Sequence, residues 1–449
     1  MNREHWSSRI GFILSTAGAA IGLGAIWKFP YMTGMNGGAA FFLIFILFTV
    51  LLGLPLLISE FIIGRGAKKE AITAYKVLAP NSAWKIVGQL GVLGCFLLLS
   101  FYSVVGGWVL VYSIQSLFGR IIQEGANYGE LFGSITASPT FTLLGLALFL
   151  CINVIVISFG IKNGIETASK YMMPLLFIFF IVLVVRSVTL DGATEGIIFF
   201  LKPDFSVITA EGVLYALGQS FFALAVGFSC MVTYSSYLNK DISIPASASS
   251  VVVMNILVSL LAGLAIFPVV FAFGLEPTEG PGLLFVVLPT VFSQIPLGEF
   301  FLSLFLLLFL FATLTSSFSL LEIIVSAFTE SGKRTRKKVA LVSGVVMFIA
   351  GIPAALSMST LSEFKIFDKT VFDATDYLVS NIMLPLGCLL ISLFIIYRMD
   401  KTLVEQEFTL SNTISPIWYK AWRTVMIWIA PVTIVVVYAY MVGFLKFVE

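Results

Sequence analysis

The residues of this chain most able to do chemistry lie in two apolar stretches. One is Ala17-Gly18-Ala19-Ala20-Ile21-Gly22-Leu23-Gly24-Ala25-Ile26-Trp27, the other Phe221-Phe222-Ala223-Leu224-Ala225-Val226-Gly227-Phe228. Each carries the marks of a break within what would otherwise be one long apolar helix. A break frees backbone groups. One half-helix presents unpaired N–H groups and the positive end of its dipole, which suit a carboxylate. The other ends in free carbonyls, which suit an ammonium group or a metal cation. Two such breaks facing each other offer both polarities, and the matching guest is a zwitterion, an amino acid. Gly18, Gly22 and Gly24 permit unusual dihedrals and close backbone approach. The Gly18-x-x-x-Gly22 spacing is also a helix-packing motif, so that plainer reading stays open.

Two carboxylates accompany the breaks, Glu60 and Glu322, each the lone acid well inside its apolar run. A buried carboxylate is costly in hydrocarbon, so each should face the bundle interior. Glu60 could accept from the freed N–H groups of an unwound helix. Glu322, two turns beyond Thr315-Ser316-Ser317, could be solvated or titrate at an inner mouth. Either could instead pair with a buried donor. Thr313, Thr315, Ser316, Ser317 and Ser319 crowd one apolar helix. An isolated Ser or Thr there usually bonds back to the preceding turn. Five so close together suit a weakly charged hard cation, sodium. Gly164 and Pro174 mark a weak point at which an inner helix end could unwind.

Several chemistries find no support. A single histidine, His5, forbids a His-Glu-x-x-His site, and there is no phosphate-binding loop for ATP. Cys95, Cys151, Cys230 and Cys388 all sit in apolar runs with no metal spacing, and read as small hydrophobes. A net charge of +2 suggests no nucleic-acid partner.

The elements that must hold these residues are membrane helices. Of the 449 residues 59% are hydrophobic and 11% charged, and mean hydropathy is +1.03. Apolar runs of about 20 residues, each able to cross a bilayer, recur along the chain. Eleven spans are expected, at about 10–32, 38–64, 86–119, 141–158, 165–187, 213–237, 247–274, 298–328, 339–357, 376–397 and 424–446. With the N-terminus inside, 19 of the 26 Lys and Arg residues fall on the inner side, dominated by Lys333-Arg334-Thr335-Arg336-Lys337-Lys338. That cluster reads as a topology signal with anionic lipid as an added contact. The odd count places the C-terminus outside. Spans 1–5 (10–187) and 6–10 (213–397) can be laid against each other, both opening on a broken helix, with 424–446 left over. Five spans per repeat force the second copy to insert inverted. The Pro- and Gly-rich loop 275–297 contains an apolar stretch, Leu283–Leu288, that reads either as a dip over the outer face or as a surface turn.

The run Ala20-Ile21-Gly22-Leu23-Gly24-Ala25-Ile26-Trp27-Lys28-Phe29-Pro30-Tyr31, followed by Asn36-Gly37-Gly38-Ala39-Ala40-Phe41, resembles the signature of the neurotransmitter:sodium symporter family. The resemblance covers essentially the whole chain and is nearest to the family's bacterial carriers of hydrophobic amino acids. It implies an all-α polytopic membrane protein of eleven transmembrane helices. These would form a 5+5 inverted repeat with broken helices 1 and 6 (LeuT-type fold) plus one extra helix, a single transporter domain over 1–449.

By the same resemblance the substrate carboxylate would meet the amides of Leu23 and Gly24 and the hydroxyl of Tyr102. Its ammonium would meet the carbonyls of Ala20, Phe222, Ala223 and Ala225. Leu98, Phe222, Ala225, Phe228, Ser316 and Leu320 would line a pocket suited to large side chains such as those of Leu, Trp, Phe, Tyr, Ile and Val. One sodium would sit among the carbonyls of Gly18, Ile21 and Ala312 and the hydroxyls of Thr315 and Ser316. A second would use Ala20, Ala223 and Asn255 with the substrate carboxylate. The family usually has Asn at Ala25 and Thr or Ser at Ala223, which leaves ion stoichiometry open. Phe45 and Ala223 replace residues that help bind chloride in animal relatives, so the resemblance leans against chloride. Ser259 stands where chloride-independent bacterial relatives carry an acid. An outer gate would pair Lys28 with Asp376, Lys replacing the usual Arg and losing its bidentate fork. An inner gate would pair Arg3 with Glu330, with Trp6 as a plug.

The expected function is sodium-driven import of hydrophobic L-amino acids by alternating access, in a bacterial plasma membrane, with no nucleic-acid and no obligate protein partner. A proton-driven transporter of the same fold and a channel are the competing readings. A channel would need a continuous polar stripe, which the helices lack.

Overall fold

In hydrocarbon, backbone N–H and C=O groups must pair within their own segment, so long apolar runs become helices. A computed structural model describes residues 4–123, 125–275, 282–329, 334–409 and 415–444, and its named elements are all helical. Among these residues nine helices are long and apolar enough to cross a membrane: Ala39–Ala67, Lys85–Leu117, Pro139–Ser158, Ile161–Val188, Ile244–Ala272, Gly298–Thr329, Arg336–Met358, Val371–Tyr397 and Pro416–Met441. They correspond in order to the expected spans 2–5 and 7–11. Arg9–Ala20 and Gly24–Met35 meet at a 53° bend and make a tenth if taken together as span 1. The expected span 6 consists of two shorter helices, Ala210–Ala223 and Cys230–Ser235. Nine or ten spans are therefore recognisable by length, and the count of eleven rests on hydropathy.

Several helices run past the apolar stretch that announced them. Span 10 starts at Val371, where the Thr370 hydroxyl accepts from the Asp373 amide at 3.1 Å. Span 7 starts at Ile244, capped by Ser243. A polar cap satisfies first-turn N–H groups wherever water or headgroups begin, so hydropathy alone sets these ends too short.

Spans 8 and 3 form the centre. Of span 8's apolar stretch 83% is buried, and of span 3's 72%, against 22% for span 11. Arg9–Ala20 and Cys230–Ser235 pack against span 8, and Ala210–Ala223 packs against span 2. The apolar stretch of the 275–297 loop is a buried helical segment, Leu283–Phe292. Phe285 there stacks on Phe132 at 5.2 Å and tilts against Tyr112 of span 3 at 4.9 Å. The segment thus wedges between helices and is absent from the walls of the open cavity beside Lys28 and Asp376. Residues 276–281 of that loop lie outside the described residues. All four cysteines are free thiols, and Cys151 is exposed rather than buried as expected.

Candidate functional site

Both breaks have backbone causes. In span 1 the last α-helical bond runs from the Ile21 amide to the Ala17 carbonyl at 2.7 Å, and Ile21 then leaves helical dihedrals. The chain re-enters helix at Leu23 through a wide π-helical turn, Gly24–Lys28. Gly22 sits where a Cβ would lie 2.2 Å from Ser316 Oγ and 2.7 Å from the Tyr102 hydroxyl, so any side chain there would collide with span 8. In span 6, Ala225, Gly227 and Ser229 have φ of +51°, +101° and +56°. Left-handed Ala and Ser are strained, and such strain persists only where the surroundings over-determine it.

Glu60 of span 2 supplies that determination. Its carboxylate accepts from the Gly227 amide at 2.7 Å and the Met231 amide at 3.2 Å, and its carbonyl accepts from the Ser235 hydroxyl at 3.3 Å. The N-terminal end of the second half of span 6 is thereby neutralised from within. The positive end left to face the cavity is that of Leu23 and Gly24; the negative end is the C-terminus of Ala210–Ala223. Glu60→Ala should leave buried amides unsatisfied at about 1–3 kcal/mol each. The expected outcome is a clear drop in melting temperature of the purified protein together with lost uptake; unchanged stability would contradict the assignment.

Ten of the eleven expected substrate residues line one central cavity: Ala20, Leu23, Gly24, Leu98, Tyr102, Phe222, Ala225, Phe228, Ser316 and Leu320. The walls are mostly apolar. Ala19, Gly22, Cys230 and Leu384 complete them. Cys230 is buried as expected and forms part of the wall, and nothing in the sequence marked Leu384. Ala223 does not line the cavity. It ends its helix turned toward span 7, and its carbonyl accepts from Asn255 Nδ2 at 2.8 Å. The buried Tyr102 hydroxyl lies beside the Leu23 amide and the Ser316 hydroxyl without closing a hydrogen bond to either. The Gly24 carbonyl accepts from Gln219 Nε2 at 2.6 Å, a contact for which the sequence reading had no place.

The hydroxyl cluster of span 8 divides. Thr313 and Ser319 bond back to their own helix. Ser316 Oγ instead donates toward the Gly18 and Ala19 carbonyls, at 2.9 and 3.0 Å. Thr315 Oγ1 also donates back within span 8, to the Phe311 and Ala312 carbonyls at 2.9 and 3.1 Å, while its side chain abuts Gly18 of span 1. Neutral carbonyl and hydroxyl oxygens from spans 1 and 8 thus converge, a donor set that suits a singly charged hard cation. Ser317 donates to Asn153 Oδ1 of span 4 at 2.7 Å. Asn153 is a lone amide in an apolar run, a signal that could have been read. Asn255 Oδ1 and Ser259 Oγ are buried without a hydrogen-bond partner among the described residues.

At the end of the cavity expected to face outward, Lys28 Nζ reaches Asp376 Oδ1 at 2.7 Å, Oδ2 at 3.0 Å and Ser380 Oγ at 3.1 Å, and stands 4.5 Å over the Phe222 ring. The expected looser pair is instead held at both carboxylate oxygens, because Ser380 and the aromatic face replace the lost guanidinium fork. At the opposite end, expected to face inward, Trp6 is buried, with Nε1 donating to the Tyr234 carbonyl at 2.9 Å. Its ring meets those of Phe12, Tyr234 and Tyr237. Arg3 and Glu330 lie outside the described residues.

Glu322 is fully buried, not solvated. It pairs with Arg336, whose Nη1 lies 3.1 Å from Glu322 Oε1, and accepts from the Tyr237 hydroxyl at 2.9 Å. Arg336 Nε also donates to the Ile157 carbonyl at 2.7 Å. One member of the basic cluster read as a topology signal therefore has a structural partner.

Comparison with known proteins agrees across the chain. A model of the sodium:neurotransmitter symporter family matches residues 3–126 and 132–447. An uncharacterised sodium-dependent transporter of Bacillus subtilis (strain 168) is 51% identical over 443 residues, covering 98% of both chains. An uncharacterised sodium-dependent transporter of Haemophilus influenzae is 39% identical, covering 97% of both. The crystal structure of MhsT in complex with L-phenylalanine superposes with a TM-score of 0.91 at 40% identity, covering 98% of this chain and 100% of that one.

Proposed function

Since this chain belongs to the sodium:neurotransmitter symporter family, we propose that its central cavity binds a hydrophobic L-amino acid and carries it inward by alternating access. The family is one of sodium-dependent membrane transporters, so the chain is a transporter rather than an enzyme. The observation that carries the substrate assignment is one apolar chamber lined both by Leu23 and Gly24, where span 1 re-enters helix, and by Phe222 and Ala225, at the C-terminal end of Ala210–Ala223. The amides and Tyr102 hold the carboxylate. The carbonyls of Ala20, Phe222 and Ala225 take the ammonium, with the Ala223 carbonyl shared with Asn255. The side chain lies among Leu98, Phe228 and Leu320. That the related MhsT was crystallised with L-phenylalanine supports the same class of guest.

Sodium is co-substrate. One ion is held by the carbonyls of Gly18, Ile21 and Ala312 with Thr315 and Ser316. A second uses Asn255 Oδ1, whose buried and unpartnered state supports it, with the Ala20 and Ala223 carbonyls and the substrate carboxylate. No chloride is required. Because guest and ions join the same break region, each raises the affinity for the other. Lys28, Asp376 and Phe222 close the outer side; Trp6 with Arg3 and Glu330 closes the inner. Two inverted sets of five spans, 10–187 and 213–397, with 424–446 added, frame a rocking of spans 1, 2, 6 and 7. The protein sits in the bacterial plasma membrane, N-terminus cytoplasmic and C-terminus outside.

The test is uptake of Leu, Trp, Phe, Tyr, Ile and Val into proteoliposomes with sodium replaced by choline at a fixed proton gradient. Uptake should vanish. Persistence would instead make Glu60 or Glu322 a proton carrier. Span 5 opens the inner path: Ile161–Glu166 is a π-helical turn, and Pro174 removes one backbone donor from the continuous helix Thr167–Val188 beyond it. Amide exchange over 164–174 should accelerate in sodium-free, inward-facing conditions; protection in every state would remove span 5 from the mechanism.

A further inference from the structure

Away from the central cavity, an apolar groove of about 600 Å³ opens between the inner ends of spans 3, 8 and 9. Leu93, Phe96, Phe328, Val342 and Val346 form its walls, and Leu93, Phe328, Val342 and Val346 are exposed. At one end stand Arg334 and Lys338. Neither forms an ion pair among the described residues, unlike Arg336 two positions from each, which Glu322 holds. From Lys338 to Val346 the helix climbs about 12 Å at 1.5 Å per residue, so the basic end lies at the membrane surface and the apolar body in hydrocarbon. We propose that this groove is a binding site for an anionic phospholipid of the inner leaflet, its phosphate on Arg334 and Lys338 and an acyl chain along Leu93, Phe328 and Val342. Charge complementarity selects the occupant: a zwitterionic lipid would satisfy the walls but gain little from two cations that have no ion-pair partner among the described residues, and basic residues at such a surface favour anionic headgroups. Ile324 also lines the groove and lies two positions from Glu322, so the lipid would press on the inner end of span 8.

Native mass spectrometry of the delipidated protein in detergent, mixed with equal amounts of phosphatidylglycerol and phosphatidylcholine of identical chains, tests this. One phosphatidylglycerol should remain bound at energies that strip phosphatidylcholine. Arg334→Ala with Lys338→Ala should cut its retention roughly tenfold or more. Ser343→Trp, which fills the groove and keeps both cations, should do likewise, and Leu93→Trp serves if that variant does not elute as folded protein. Equal retention of both lipids would overturn the proposal. So would full retention in the double variant, full retention in the filled groove, or a lipid-free dimer with the groove as its interface.

Discussion

Replacing Gly22 by Ala is expected to reduce sodium-driven amino-acid uptake at least about a hundredfold. The added Cβ would stand 2.2 Å from Ser316 Oγ and 2.7 Å from the Tyr102 hydroxyl. Neither neighbour can easily retreat. Ser316 is tied to the Gly18 and Ala19 carbonyls, and Tyr102 is buried beneath the Leu23 amide. Span 1 and span 8 must therefore separate by about an ångström. That displacement falls on the oxygens assigned to sodium and on the amides assigned to the carboxylate, and misplacements of this size cost binding sites about two orders of magnitude. Equilibrium binding of radiolabelled phenylalanine should fall in parallel, while the protein still elutes as a folded species, since the cavity wall can yield locally. Uptake at the wild-type level would refute the idea that this break is built to grip a guest.

Arg336→Ala is expected to be the most destabilising single change on the inner side, by about 3–5 kcal/mol. Removing the guanidinium strands Glu322, which is fully buried, with the Tyr237 hydroxyl as its remaining donor. It also leaves the Ile157 carbonyl without its partner. The combination Arg336→Met with Glu322→Gln should recover much of the loss, because no charge is then left uncompensated. Melting temperatures of the two singles and the double in detergent would measure this. A double as unstable as Arg336→Ala would mean that packing, not charge, is at issue. The effect should extend to transport. Tyr237 also meets Trp6, by its ring and through its carbonyl, which accepts the Trp6 amide at 3.3 Å. A weakened Glu322 pair thus loosens the inner closure.

The positions of both breaks were legible because glycines and small residues cluster where a spanning helix should be uniformly bulky. The lone acids and the crowded hydroxyls stood out for a related reason. Polar groups are so costly in hydrocarbon that each must have a use or a partner. What could not be read was the partner. Glu322 allowed solvation, titration or pairing, and burial beside Arg336 chose pairing. Thr313, Thr315, Ser316, Ser317 and Ser319 looked like one set, yet among them Ser316 bonds to span 1 and Thr315 packs against it while bonding back to its own helix. Helical phase and the crossing of spans 1 and 8 divide them. Leu384 carried no signal, because an apolar residue in an apolar helix is unmarked until its neighbours are known.

Composition, the spacing of apolar runs and the interruptions at 17–27 and 221–228 were enough to specify a helical membrane protein with two broken helices. These are local properties: hydrocarbon accepts only paired backbone, and a chain that breaks this rule does so visibly in its own residues. Residues of both breaks line one cavity. Which half-helix end faces the guest was decided only by packing. Glu60 comes from another span to neutralise the end at Gly227 and Met231, leaving Leu23 and Gly24 as the positive pole. That assignment depends on distances between residues 167 and 171 positions apart, and nothing in either neighbourhood alone encodes it.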